Sequence, residues 1–482
     1  MSVPRVIIAG THSGVGKTSV SLAVMAGLRK AGYRVQAYKV GPDYIDPSYH
    51  EMATQSPSHN LDDWMMGTAA VQWLFEETSH NRDIAVIEGV MGLFDGFNAT
   101  SDDGSTAQIA KMLKAPVILV VDAARMARSV AAIIKGYQAL DEEVKIGGVI
   151  LNRVASWNHF RILREAIDCY NQCPVLGAIF RDENISIPQR HLGLKPASEN
   201  AEFLKCLERL IKFTEINPPE DSSTIDLQKI LNLAQRYRVD INPVPSDDAA
   251  FFQIRKEVAD PSNQKIRIAY AKDKAFHFYY QANLDFLSLC GAELVPYSPL
   301  EDKELPPNIG GLYFGGGFPE VYAAELEKNS YIKESVREAI ERGMPTYAEC
   351  GGLMYLTEGI RTLEKKTHKM VGVIPGFVEM TPRLVHFGYC ENELIKDCFL
   401  GKQGERFRGH EFHYSRWDAE GRESIHRVDK KRKQIFRPEG YMGGNLLATY
   451  VHCHFLSYPQ RALCLVENAR RFANTGEQAE VV

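Results

Sequence analysis

Two stretches of this sequence, one near each end, combine residue types that can do chemistry. In the first, Val6–Ala9 runs into Gly10-Thr11-His12-Ser13-Gly14-Val15-Gly16-Lys17-Thr18-Ser19. Glycines let backbone N–H groups turn inward onto phosphate oxygens, and the helix that follows adds positive potential at its start. Lys17 neutralises phosphate charge and the Thr18 hydroxyl suits Mg²⁺. Gly14, Gly16, Lys17 and Thr18 are therefore nucleotide-binding candidates. The spacing departs from GxxxxGK[ST]: position 11 is Thr, and the first glycine comes one residue early.

Mg²⁺ takes hard oxygen ligands and keeps several waters, so few carboxylates are needed. The apolar run Ala85-Val86-Ile87 ends at Glu88-Gly89-Val90-Met91-Gly92, and Lys39-Val40-Gly41-Pro42-Asp43-Tyr44-Ile45-Asp46 follows another short run. With Thr18, Glu88 and Asp46 are metal-ligand candidates, Asp43 an even choice between ligand and loop charge, and Lys39 a phosphate partner. Asn152, after Val149-Ile150-Leu151, suits adenine or a helix cap.

The second stretch is Thr346-Tyr347-Ala348-Glu349-Cys350-Gly351-Gly352, leading into Leu353-Met354-Tyr355-Leu356. A nucleophile at a tight strand-to-helix turn is exposed to substrate, and a helix N-terminus lowers a thiol's pKa. Cys350 is the candidate nucleophile, with eight other cysteines expected to be buried and structural. The Gly351 amide and the loop Gly315-Gly316-Gly317, through Gly316, are oxyanion-donor candidates. A thiolate needs a base, and Tyr450-Val451-His452-Cys453-His454 supplies His452, or more weakly His454. A metal reading of His452-Cys453-His454 finds no further ligand cluster.

The elements that must hold these groups alternate. Short apolar runs at Val6–Ile8, Val35–Lys39, Ala85–Ile87, Val117–Val121, Val149–Leu151 and Val175–Ile179 are separated by helical patterns such as Val20, Val24 and Leu28. Continuous apolar strands between helices imply a parallel sheet covered on both faces. The reading is an α/β chain whose first domain, residues 1–214, is a doubly wound P-loop sheet. A proline-rich, acidic linker with one helix (Ile225–Tyr237) spans 215–264. A second α/β domain, 265–473, has strands at Ile266–Tyr270, Gly311–Phe314, Thr346–Ala348 and Leu446–Val451. A polar tail, expected to fray, covers 474–482.

Composition narrows the class. With 482 residues, 45% hydrophobic and 24% charged, and a net charge of -5, the chain has no basic excess of the kind nucleic-acid binders show. The basic run Lys430–Lys433 reads as a solvated loop. No signal-peptide pattern and no apolar run of membrane-spanning length are present. Nine scattered cysteines without a CxxC pair favour a reducing cytoplasmic setting over disulfides or zinc.

The motifs now resemble one family. Gly10–Thr18, Lys39–Pro47, Asn60-Leu61-Asp62-Asp63-Trp64-Met65-Met66-Gly67 and Glu88-Gly89-Val90-Met91-Gly92-Leu93-Phe94-Asp95-Gly96 are similar to those of the cobyrinic acid a,c-diamide synthases. So are Arg190–Leu194, Ala275–Tyr280, Arg408-Gly409-His410-Glu411-Phe412-His413-Tyr414-Ser415 and the Cys350 and His452 motifs, over nearly the whole chain. The resemblance implies a class I glutamine amidotransferase-like second domain in which Cys350, assisted by His452, releases ammonia from glutamine. It also implies that ATP with Mg²⁺ phosphorylates a carboxylate of a tetrapyrrole-derived macrocycle, ammonia then displaces phosphate, and a protected route carries the ammonia. Asp43, Tyr44, Asp95 and Arg190 are substrate-facing candidates, and Arg125, Arg128 and Lys195 are further cations for a polycarboxylate.

On this resemblance the macrocycle is cobyrinate or nickel-sirohydrochlorin, a homodimer is a candidate assembly, and neither nucleic acid nor membrane is an expected partner. Cobyric acid synthase-type amidation and a P-loop regulatory ATPase with an inactive glutaminase are the competing readings. Class I glutaminases place Glu two residues after the histidine; here that position is His454, which leaves the third triad role unassigned.

Overall fold

The structure is a computed structural model that describes residues 3–170, 173–182, 189–190, 193–194, 203–215, 223–241, 265–419, 424–430 and 435–475. The chain divides into two compact units, Met1–Pro245 and Ser246–Val482.

In the first unit an eight-stranded sheet runs in the order β10-β7-β6-β5-β1-β4-β2-β3. Its strands are β1 (Arg5–Gly10), β2 (Val35–Val40), β3 (His59–Leu61), β4 (Ile84–Glu88), β5 (Val117–Asp122), β6 (Ile146–Val154), β7 (Val175–Phe180) and β10 (Thr224–Ile225). The short pair β8 (Gln189–Arg190) and β9 (Gly193–Leu194) stands apart. All sheet neighbours are parallel except β10, which runs antiparallel to β7. The central strands are buried end to end, as their continuous apolar runs require. Helix Lys17–Lys30 buries Val20, Val24 and Leu28, the spacing that marked it in sequence.

The stretch expected to be linker is partly something else. Helix Leu227–Arg236 is capped by the Asp226 side chain, which accepts from the Lys229 amide, and it buries Ile230, Leu233 and Ala234 in the first unit's core. Its apolar positions lie three and four apart, so this face had to find a partner. Residues 216–222 and 242–264 lie outside the described residues, as do the 476–482 tail and Lys431–Lys433 of the basic run.

The second unit is centred on a six-stranded sheet ordered Ala292–Tyr297, Ile266–Ala271, Gly311–Phe314, Thr346–Glu349, Leu446–Thr449, Tyr441–Gly443. Only the last pair is antiparallel. The final core strand stops at Thr449, not Val451; His452–Cys453 leave it and pair antiparallel with Gly409–His410 in a separate five-stranded sheet. Glu439 fixes this departure: its buried carboxylate accepts from the Thr449 hydroxyl at 2.6 Å and the Tyr450 amide at 2.5 Å. Among the described residues no helix is long and apolar enough to cross a membrane.

Candidate functional sites

In open α/β sheets, ligands bind at the carboxyl ends of the strands where the strand order reverses. Here β1 lies between β4 and β5, and the chain crosses from one side of it to the other. The loop Thr11–Gly16 leaves β1 at that point and feeds helix Lys17–Lys30. Gly16 takes the left-handed conformation (φ 97°) at the helix cap, and a Cβ on it would stand 2.2 Å from the Asn152 amide nitrogen. Glycine is therefore required there twice over.

Asn152 pairs with Asp122 at the ends of β6 and β5. Its amide donates to the Val15 carbonyl at 2.8 Å and its oxygen accepts from the Arg153 amide at 2.9 Å. Where the sequence suggested adenine or a helix cap, the structure makes Asn152 a clasp on the phosphate loop. Arg153 adds a second clasp, donating to Gly14 O at 3.0 Å.

Below the loop sits a buried charge cluster. Lys39 and Glu88 face each other in register across β2 and β4, and Lys39 Nζ lies 3.1 Å from Glu88 Oε1 and 2.6 Å from Asp46 Oδ2. The Thr18 hydroxyl donates to the same Glu88 oxygen at 2.6 Å. Burial alone would raise the Glu88 pKa; the Lys39 ammonium, with His50 and Thr18, outweighs it and holds the carboxylate below its usual range. Burial likewise works against the Lys39 charge, but Asp46, Glu88 and Asp43 hold its pKa above the ordinary lysine value. Asp46 is pushed up by burial and by Asp43, against the pull of Lys39.

Lys17, also buried, donates to the Met91 carbonyl, and burial followed by Lys39's charge lowers its pKa to about 8. Sequence reading missed His50, whose Nε2 lies 2.7 Å from Glu88 Oε2 and whose Nδ1 lies 3.1 Å from the Ser58 hydroxyl. Its place in the helix Asp46–Thr54, one turn after Asp46, was the signal available.

Other candidates take structural parts. Asp43 Oδ1 accepts from the Ile45 and Asp46 amides at 2.8 and 2.9 Å, so it turns the chain into that helix. Tyr44, between them, is held in the same turn, which Asn60 fastens through the Gly41 and Asp43 carbonyls. Asp95 accepts from the Gly92 amide at 2.9 Å beside the loop. Arg125 and Arg128 are exposed; the Arg190 side chain and all of Lys195 lie outside the described residues.

Two carboxylates and a hydroxyl converge on a site where one ammonium already sits between the acids. That donor set, hard oxygens beneath a phosphate loop, fits Mg²⁺. Among the described residues no group of three or more His, Cys, Asp or Glu is placed to hold a metal by itself.

In the second unit, Cys350 ends the strand Thr346–Glu349 with φ 48° and ψ -101°, a conformation that non-glycine residues rarely adopt. The strained turn is the elbow expected from the sequence, but the thiol it carries is buried rather than exposed. The expectation that a helix N-terminus lowers the thiol pKa is overturned. The helix Gly351–Leu356 is only six residues long, and burial, then the charge of Glu320, pushes the thiol up.

The loop Gly315–Gly317 lies against both Gly351 and His452. A Cβ on Gly316 would stand 2.6 Å from His452 Cε1, and one on Gly351 would stand 3.0 Å from the Gly317 amide nitrogen. Tyr279 holds this loop, accepting from the Gly315 amide at 2.8 Å. His452 is buried, and burial together with the charges of His410 and His413 lowers its pKa to about 3. His454, the weaker base candidate, accepts from the Leu456 amide at 3.3 Å through its Nδ1 and caps the turn Phe455–Ser457. Of the other cysteines, Cys169 is exposed and Cys464 half-buried, while the remaining six are buried; all nine are free thiols.

One carboxylate on the strand that leads to Cys350 faces His452. Glu349 is buried, and its Oε2 lies 3.9 Å from His452 Nδ1.

A phosphate loop with its acidic floor in one α/β unit, and a cysteine elbow in another, define a nucleotide-binding domain fused to a glutamine amidotransferase. Residues 6–194 match the CobQ/CobB/MinD/ParA nucleotide binding domain, and residues 267–460 the CobB/CobQ-like glutamine amidotransferase domain. Similarity to curated proteins runs almost end to end. The cobyrinate a,c-diamide synthase of Dehalococcoides mccartyi strain 195 is 43% identical over 98% of this chain and 99% of its own. That of Priestia megaterium is 44% identical over 94% and 95%, and that of Methanosarcina barkeri 40% identical over 98% and 97%. The chain belongs to the cobyrinate a,c-diamide synthase family, glutamine-hydrolysing ligases that form carbon–nitrogen bonds.

Proposed function

We propose that this enzyme uses ATP and glutamine to amidate the a and c acetate side chains of cobyrinate. The observation that carries the reading is the presence in one chain of both halves such a reaction needs: the Lys17–Thr18–Glu88–Asp46 cluster beneath a phosphate loop, and the Cys350 elbow and His452 against the same glycine loop, Gly315–Gly317. A carboxylate does not accept ammonia unaided, because oxide is a poor leaving group. Phosphorylating it makes an acyl phosphate, and ammonia then forms the C–N bond while phosphate leaves.

At the second site the Cys350 sulfur bonds to the glutamine amide carbon as His452 takes the thiol proton. The C–N bond breaks, ammonia leaves with that proton, and water hydrolyses the thioester to glutamate. The Gly351 and Gly316 amides are the donors assigned to the developing oxyanion. At the first site the loop amides, Gly14 and Gly16 among them, bind phosphate oxygens, and Lys17 and Lys39 meet their charge. Thr18, Glu88 and Asp46 would hold Mg²⁺, which when bound neutralises phosphate charge. Asp43 and Asp95 shape the loops beside this site, Tyr44 and Arg190 are the candidates to face the macrocycle, and nine free thiols suit a reducing cytoplasm.

The test is one incubation with ATP, Mg²⁺ and glutamine, with cobyrinate in one arm and nickel-sirohydrochlorin in the other. Two successive amidations by mass spectrometry in the cobyrinate arm are expected. Amidation of the nickel macrocycle alone would replace the substrate, and no amide in either arm would end the reading.

A further inference from the structure

We propose that Glu349 is the carboxylate that orients His452 and balances its charge, filling from the residue before the nucleophile the triad role that position 454 does not. The inference rests on Cys350 and His452 being the glutaminase pair.

Four observations support it. Glu349 is wholly buried, where an ionisable carboxylate is retained only if its surroundings or its task favour it. It is held rigidly: Oε1 accepts from the Tyr347 hydroxyl at 2.7 Å and the Cys453 amide at 2.9 Å, and Oε2 accepts from the Tyr313 hydroxyl at 3.3 Å. Those donors come from its own strand, the neighbouring strand and the segment that carries His452, so the carboxylate and the imidazole are tied to one another through the backbone. Finally, Oε2 faces His452 Nδ1 at 3.9 Å, which leaves Nε2 as the nitrogen for the thiol proton. Catalytic contacts are often this long before substrate binds, and tighten in the complex.

In the proposed role Glu349 takes no proton. When the Cys350 proton moves to Nε2 the ring becomes an imidazolium, and the Glu349 charge lies beside the Nδ1–H. The rival carboxylate is Glu411, whose charge bears on His452 but which is engaged by the Arg437 guanidinium.

A neutral amide at 349 accepts the Tyr347 and Cys453 hydrogen bonds as well as a carboxylate does, so Glu349→Gln removes the charge and keeps the brace. In the full chain, glutamate release is expected to fall about 10²–10⁴-fold in kcat, with KM for glutamine within about threefold. Alkylation of Cys350 by iodoacetamide should slow in parallel, and amidation from ammonia should be unchanged. Glu349→Asp, which keeps the charge but withdraws it by one methylene, should recover part of the loss.

If Glu349→Gln releases glutamate within about threefold of the parent, the proposal is overturned. It is equally overturned if Glu411→Gln alone produces the kcat loss. Should Glu349→Gln lose ammonia-supported amidation, and with it evidence of folding, Glu349→Asp decides: parental kcat sinks the idea, and a loss of about tenfold at constant KM supports it. Glutaminase activity surviving in Cys350→Ala would instead remove the pair on which the idea stands.

Discussion

At the phosphate loop Glu88 is wholly buried and stays ionised, because Lys39, His50 and Thr18 all touch it. At the cysteine elbow Glu349 is buried just as deeply, and desolvation, set only against hydroxyls, an amide and a more distant Arg461, pushes it up to about 7. The same contrast holds for the neighbours. Lys39 keeps its charge among three carboxylates, whereas the Cys350 thiol is pushed up and His452 down, so both are neutral. The first site is built with charge in place, as suits a nucleotide polyanion and its cation. The second holds neutral groups, so on the proposed mechanism its ion pair forms only when substrate brings new hydrogen bonds. One site is assembled before its ligand arrives; the other is switched on by it.

The sharpest way to test that division is to remove one site and watch the other. Cys350→Ala should lower glutamine-supported amidation by about 10⁴-fold or more, since the nucleophile has no substitute. Amidation from added ammonia should persist at the parental rate. Loss of both would mean that the elbow does not work as a separate module. Glu88→Gln should do the reverse, lowering amidation from either nitrogen source by about 10²–10³-fold. It should also destabilise the chain by about 3 kcal/mol, because Lys39 is left buried with one fewer counter-charge. Retained synthesis would place the metal and phosphate partners elsewhere.

What was legible beforehand follows the same divide. The front site lies on continuous apolar strands whose ends are marked by charged residues, so β1, β4 and their burdens Thr18 and Glu88 stood out. Cys350 showed through its small neighbours. The carboxylate proposed for the triad's third place did not, because class I spacing points two residues past the histidine, to His454, whereas the fold returns Glu349 to His452 from another strand. The polar strands His386–Leu394 and Arg406–His413 were missed for a related reason. Their pairing is antiparallel and their residues alternate between charge, aromatic ring and glycine, which leaves no apolar run to see. Helix Leu227–Arg236 was visible as a helix, but its proline-rich surroundings hid its place in the first unit's core.

A pH titration sharpens the contrast between the two acids. Glu349 has a folded pKa raised from 4.5 to about 7, so its contribution favours the fold below pH 4.5 and is lost as pH rises through 7. The shift corresponds to about 3 kcal/mol. The stability of Glu349→Gln relative to the parent should therefore rise by about that much between pH 4 and pH 8, read from urea unfolding of both chains. A difference that stays flat across this window would show that folding does not shift the Glu349 pKa, and a fall would make Glu349 like Glu88.

Packing at the elbow predicts a smaller effect. Gly316→Ala would place a methyl against His452 Cε1 and move the imidazole. Glutamate release should fall about tenfold to hundredfold, and ammonia-supported synthesis should not change. An equal fall in both activities would mean that the substitution disturbs the fold beyond this loop.

The smallest expected effect tests whether the first site is as fully assembled as its charges suggest. Asn152 is a clasp in this structure: its amide holds the Val15 carbonyl, with Gly16 pressed against it. Asn152→Ala removes one neutral hydrogen bond, a change of about 1 kcal/mol, so the dissociation constant for ATP should rise about fivefold. A clasp acts on the phosphates' cradle and not on the base, so ATP and GTP should weaken together. If the same substitution instead erases a preference for ATP over GTP, Asn152 reads the adenine, and the loop must rearrange to release it when nucleotide binds. The front site would then share the trait assigned to the elbow, completing itself only around its ligand.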